Sequence, residues 1–320
     1  MKKVGGFDWK RCPNAERFIM QYIDTLLEAD QWATGFAKSL RVKTSTSFFD
    51  WIDHIVIPDS AHTRTMLGEL GFSKNPLAET PPGLSAYSHF DAIFPDILVK
   101  EDREKSVLEV ALKPESLPAF AAVHGMTHAV EGEPLSRYRR LIISEERNTR
   151  FLAVERRGYR GYVAETPSAK YYTEYDAAES LWRSRCRWYE NEKDGFREAR
   201  GMIDEMVSRV GRDLACYLIF KAERDYWAYR NRAVRLQKGR QDTIGLGWGN
   251  HDHHTFRCSR RHMPDLIEIL ERLGFMCRER FYAGEDAGWG AQVLEHPALQ
   301  ITVFADLDLA PEETEIDFAH

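Results

Sequence analysis

The sequence predicts an α+β protein built from repeated strand–helix units. Three segments, residues 54–72, 109–125 and 254–275, each open as a strand and pass into a short amphipathic helix that ends at or just before a glycine. Between the second and third lies a run from about 169 to 242 with apolar residues at helical spacing and no proline. A unit that recurs in this way is a structural signal before it is a functional one.

Taken in order, Phe18, Ile19, Tyr22, Ile23, Leu26, Leu27, Trp32 and Phe36 recur at three- and four-residue spacing and predict a helix over 14–40. "WIDHIVI" reads as a strand rich in β-branched residues, and "HTRTMLGELGF" as a helix ending at Gly71. "SKNPLAETPPG" reads as a loop from its Pro and Gly content. "SVLEVALK" alternates cleanly, with Leu108, Val110 and Leu112 facing one way and Glu109 and Lys113 the other. A helix over "PESLPAFAAVHG" and strands over "RYRRLIIS" and "TRFLAVERRGYRGYV" follow, the last split at Gly158. The arginine-rich run 169–242 reads as two helices, 174–190 and 195–237. After Gly245 come a strand ("NHDHHTFRC"), a helix ending at Gly274, and three strands over "FMCRERFY", "GWGAQVLEHP" and "LQITVFADLDL". The expected organisation is an N-terminal helical segment (1–44), a first βα region (45–168), a helical insertion acting as a lid (169–242) and a C-terminal βαβββ module (243–320).

Composition bounds the function. The 320 residues are 43% hydrophobic and 29% charged, with net charge −6, as expected of a soluble globular protein. That balance calls for neither nucleic acid nor a membrane as partner, and no run of about 18 apolar residues is present. Five scattered cysteines without a C-x-x-C pair suit a reducing cytoplasm and argue against both a disulfide framework and a cysteine zinc site. No P-loop, no G-x-S-x-G and no dinucleotide fingerprint occurs.

The candidate chemistry lies in "GNHDHHTFRC", with three histidines in four positions. Side chains alternate across a strand, so His254, Phe256 and Cys258 share one face while His251, His253, Thr255 and Arg257 share the other. In "WIDHIVI" the apolar face is Ile55 and Ile57, which turns His54 the opposite way. Matching the apolar faces pairs His253, not His254, with His54. Two imidazoles and one carboxylate make a facial triad with open positions for substrate. Glu295 is the candidate carboxylate, because a glutamate in an apolar strand is costly unless paired or metal-bound. Glu109 is its rival.

Asp53-His54-Ile55, His253-His254-Thr255-Phe256 and Leu294-Glu295 resemble motifs of the vicinal-oxygen-chelate (glyoxalase-like) superfamily. That superfamily builds βαβββ modules into a cupped sheet with metal ligands on its strands. The layout most resembles the 2-oxoadipate dioxygenase/decarboxylase family. Where that family carries a substrate-binding arginine four residues after its first histidine, this chain has Pro58, so its substrate does not carry over. The resemblance implies a mononuclear metal enzyme with His54, His253 and Glu295 as ligands. Fe(II) is favoured, with Mn, Zn or Ni as alternatives. Arg257 would hold the carboxylate of a small oxo- or hydroxy-acid, and His251 would act beside it. An isomerase or lyase of the same fold, or a metal-free binding module, are the competing readings.

Overall fold

The computed structural model describes residues 11–101, 107–249, 253–314 and 316–320. The chain divides into two compact units, one comprising Lys10–Pro167 and Ala228–Asn250, the other chiefly Ser168–Trp227 and His251–His320. Each is described by itself.

The first unit opens with α1 (Pro13–Ala29) and α2 (Gln31–Thr44). They replace the single helix expected over 14–40. Asp30 leaves helical geometry at φ −116°, and its carboxylate accepts from the Ala33 amide at 2.9 Å, so one residue both ends α1 and caps α2. Next come β1 (Ile52–Pro58), α3 (Ala61–Glu69), β2 (Phe72–Lys74), β3 (Leu84–His89), β4 (Asp96–Lys100), β5 (Leu108–Leu112), α4 (Leu117–His124), β6 (Tyr138–Glu146) and β7 (Thr149–Arg156). β7 ends two residues before Gly158, whose positive φ of 56° turns the chain.

The strands form one mixed sheet in the order β2-β3-β4-β1-β5-β7-β6. β1 runs parallel to β4, and β5 parallel to β7, while β1 and β5 meet antiparallel. The sheet is therefore a βαβββ module joined edge to edge with a βαββ module. Ile55 and Ile57 of β1 and Val110 and Leu112 of β5 are buried in one core with α1 and α2, as the alternation predicted. The sequence did not disclose β3 and β4. They are short and follow a Pro-rich connection; β4 carries the buried apolar run Ile97-Leu98-Val99, which gives no alternation to read, and β3 mixes buried Ala86 with the polar Ser85 and Ser88.

The second unit contains α5 (Ala169–Arg183), α6 (Glu192–Val210) and most of α7 (Arg212–Arg230); α8 (Arg232–Asp242) falls in the first unit. The long helix expected over 195–237 is broken twice. Gly211 interrupts it at φ 81°, and Asn231 caps α8 by accepting from the Ala233 amide at 2.9 Å. Then follow β8 (His254–Arg257), α9 (Met263–Arg272), β9 (Met276–Tyr282), β10 (Trp289–His296) and β11 (Ile301–Asp308). Their sheet order is β8-β11-β10-β9, with β8 parallel to β11. This is the order of β1, β4, β3 and β2 again, so the third repeat is also a βαβββ module. No helix of the described residues is long and apolar enough to cross a membrane.

Candidate metal centre

The first histidine sits at a β-bulge. Ile52 pairs with Leu112 and His54 with Ala111, which leaves Asp53 as the extra residue of β1. Asp53 and His54 are both buried, and their side chains meet with His54 Nδ1 2.7 Å from Asp53 Oδ2. Arg156, from the end of β7, grips the same carboxylate twice, Nε to Oδ1 at 2.7 Å and NH2 to Oδ2 at 2.8 Å. Burial alone would raise the Asp53 carboxyl, but the Arg156 guanidinium and His54 outweigh it and hold the group well below the usual carboxylate range. Asp53 is thus ionised, and the hydrogen between the pair belongs on His54 Nδ1. That fixes the Nδ1 side of the ring and leaves Nε2 for another partner, the way metal-binding histidines are oriented by a neighbouring carboxylate.

The surroundings of this pair are aromatic and charged. Arg156 lies over the rings of Tyr138 and Tyr162, with its guanidinium carbon 4.8 and 4.7 Å from their centroids. Tyr162 sits edge-on to His54 at 4.9 Å and donates to Asp96 Oδ2 at 2.6 Å. Ser88 donates to the other Asp96 oxygen at 2.7 Å. Lys113 is half-buried near the same group of charges, and desolvation pushes its ammonium pKa down. Glu109, the rival carboxylate, is buried and engaged by Arg150 at 2.8 Å.

The remaining candidates fall in the second unit. His251 lies outside the described residues. Along β8 the burial alternates as expected: Phe256 faces the helices, with its ring 6.1 Å from Phe220, while Thr255 and Arg257 are exposed. His254 also faces the helices, edge-on to Phe220 at 5.0 Å. His253 is exposed, its ring 5.0 Å from that of Phe304. Glu295 of β10 pairs in register with Thr302 of β11, and His254 of β8 pairs with Val303. By this register His253, Thr302 and Glu295 lie along one row across one face of the sheet. Glu295 is half-buried and lies 3.4 Å from Arg278, and Arg257 is ion-paired with Asp308.

One residue on that face was missed from the sequence. Asp306 of β11 pairs in register with Arg257, and its Oδ1 is buried without a hydrogen-bond partner among the described residues. Burial raises its carboxyl, with Arg257 and His253 pulling the other way. A buried carboxylate oxygen without a donor is what a cation would satisfy. The signal lay in "FADLD", where an acidic residue alternates with apolar ones on a strand already read as such.

His253, Glu295 and Asp306 on this face are residues of metal-ligating type. They are not drawn into one tight cluster. Among the described residues, the group with three ligand atoms all within 4.8 Å of one another is instead Glu271, Cys277 and His320, all exposed. There burial and the neighbouring Glu271 push the Cys277 thiol up to about 11, which keeps it protonated near neutrality.

No protein family's sequence profile matches the chain, and no curated protein matches it. Among solved structures it is similar to glyoxalase I from Zea mays, at 16% identity over 36% of this chain and 44% of that one, with a TM-score of 0.24. Two single-residue mutants of the maize enzyme align over 81% and 80% of this chain and 67% and 68% of theirs. Identities there are 9% and 8%, and TM-scores 0.25 and 0.24. The first alignment thus spans less than half of the maize enzyme. The glyoxalase-like architecture rests on the repeated strand order, which stands independently of these similarities.

Proposed function

We propose that the protein is a metal-dependent enzyme of glyoxalase-like architecture that acts on a small oxo- or hydroxy-acid. The observation that carries this reading is the Asp53–His54 pair, a buried imidazole whose Nδ1 is held by an ionised carboxylate at 2.7 Å and whose Nε2 is left for a metal. His54, His253 and Glu295 are the proposed ligands, and Asp306 joins Glu109 as an alternative carboxylate. A bound divalent ion would act as a Lewis acid on the substrate's oxo or hydroxy oxygen, and Fe(II) would add reactivity toward dioxygen. Iron is the favoured metal, with Mn, Zn and Ni the alternatives.

The chain's own groups supply the rest. Asp53 holds the Nδ1 side of His54, and Arg156 keeps Asp53 ionised. Arg257 is proposed to bind the substrate carboxylate, which would compete with Asp308 for the guanidinium. His251 is proposed to act beside it. The 2-oxoadipate likeness does not set the substrate, because Pro58 stands where that family has arginine.

A screen of oxo- and hydroxy-acids with Fe(II)-loaded protein in an oxygen electrode tests the oxygenase. Consumption of dioxygen with one acid class, with Arg257→Met raising KM more than it lowers kcat, is expected. Turnover undiminished under strict anaerobiosis would instead make the protein an isomerase or lyase. One observation favours a second reading, a metal-free binding module: Glu295 already faces a guanidinium. Protein that retains no divalent ion under any loading condition would establish that reading.

A further inference from the structure

Within the second unit, α5, α6, α7, α9 and β8 line a cavity of about 520 Å³ that is open on one side. Phe196, Phe220, Phe256, Ile269 and Leu270 make its wall apolar. At one side stand Arg185, Arg187 and Glu223. We propose that this cavity binds a small amphipathic monocarboxylate, with its apolar body against the phenylalanines and its carboxylate on Arg185.

The charge arrangement selects the ligand. Arg187 holds Glu223 with two bonds of 2.9 Å, and Arg185 adds a third of 2.9 Å to Oε1. Trp182 Nε1 donates to the same oxygen at 2.8 Å. Burial would raise the Glu223 carboxyl, but the two guanidiniums and Trp182 outweigh it and hold it below its ordinary value, so it is ionised. Arg185 and Arg187 face Glu223 here, and Glu192 lines the same cavity as a second carboxylate, so the charges on the wall balance. Arg185 Nε is buried and has no hydrogen-bond partner among the described residues. That donor is unspent on a side chain already fixed by stacking over Trp182, 4.8 Å from its centroid. Nε is the one donor of this guanidinium not engaged by Glu223 or by the Cys186 carbonyl, and one oxygen of a carboxylate would satisfy it, whereas a doubly charged phosphate would add a second negative charge beside Glu223 and Glu192.

The size and lining agree. The volume falls within the range of small-molecule pockets, and aromatic walls with a few polar groups at one side describe a site for an amphipathic molecule. The cavity also makes sense of the helical run's composition, because Trp182 and Trp188 both line it. Phe256 contributes from the face of β8 opposite His253, so the proposal is independent of the metal reading.

Titration of the full chain, followed by tryptophan fluorescence and calorimetry, tests it with octanoate and 2-naphthoate against octanol and octylamine. Saturable 1:1 binding of a carboxylate probe is expected, at least about tenfold tighter than the alcohol or amine. Arg185→Gln should remove that preference while leaving octanol affinity unchanged, and Ala199→Trp should block all probes by filling the cavity. If neither carboxylate binds saturably, if octanol or octylamine binds as tightly, or if folded Arg185→Gln keeps the preference, the proposal is wrong.

Discussion

His296 meets Phe275 edge-on, with ring centroids 5.2 Å apart and planes at 87°. His89 meets Phe72 in the same way, at 5.2 Å and 84°. Each histidine ends the third strand of its βαβββ module, and each phenylalanine follows the glycine after the module's helix. Those glycines, Gly71 and Gly274, have φ of 90° and 99°, and a Cβ on either would come within 2.7 or 3.0 Å of the histidine Nε2. The two modules thus repeat a detail as well as a strand order. Gly274→Ala should destabilise the second unit by about 1–3 kcal/mol in urea unfolding, from the strained φ and the histidine contact together. A change below about 0.5 kcal/mol would show that the glycine is not required there.

The Asp53–Arg156 pair should behave as a buried ion pair. Arg156→Met leaves a buried carboxylate uncompensated and should cost about 3–5 kcal/mol, and adding Asp53→Asn should recover part of that loss. Additive losses in the double variant would contradict the pairing.

The same pair fixes a pH dependence. The folded-state pKa of Asp53 is depressed, since Arg156 and His54 outweigh burial. Its stabilisation is therefore fully present above the unfolded carboxylate range near about pH 4, and is lost as pH falls toward the depressed value. Asp53→Asn should flatten the acid limb of the stability curve. Parallel acid limbs for the two proteins would refute the assignment.

Asp306 should show the opposite sign. Its pKa is raised by burial, so the native state holds this proton more tightly than the unfolded chain and the carboxylate costs stability as pH rises through its folded value. In chelator at pH 7, Asp306→Asn should gain about 1 kcal/mol by removing a buried, unpartnered carboxylate oxygen. Added Mn²⁺ should raise the melting temperature of the wild type more than that of the variant. An equal metal-induced rise in both would remove Asp306 from the candidate ligands.

The strand alternation was legible because each face has one kind of neighbour. Ile55 and Ile57 enter the core while His54 faces away, and β8 alternates as read. Helix breaks at Asp30, Gly211 and Asn231 carried capping and glycine signals, but the apolar spacing runs through them and hid the interruptions. β3 and β4 were hidden because they are short and β4 is buried on both faces, so its run Ile97-Leu98-Val99 shows no alternation, while β3 carries polar Ser85 and Ser88 among its buried positions. The Asp53–His54 contact depends on a one-residue bulge, which only the pairing partner β5 reveals. Asp306 was overlooked because an isolated aspartate on a strand has the same sequence signature whether solvated or buried.

Divalent-metal occupancy of protein purified without a histidine tag tests the central claim most directly. The account predicts stoichiometric metal in the wild type, its loss in His54→Ala, His253→Ala and Glu295→Ala, and its retention in His254→Ala, whose ring packs on Phe220. Full occupancy in His253→Ala together with loss in His254→Ala would contradict it.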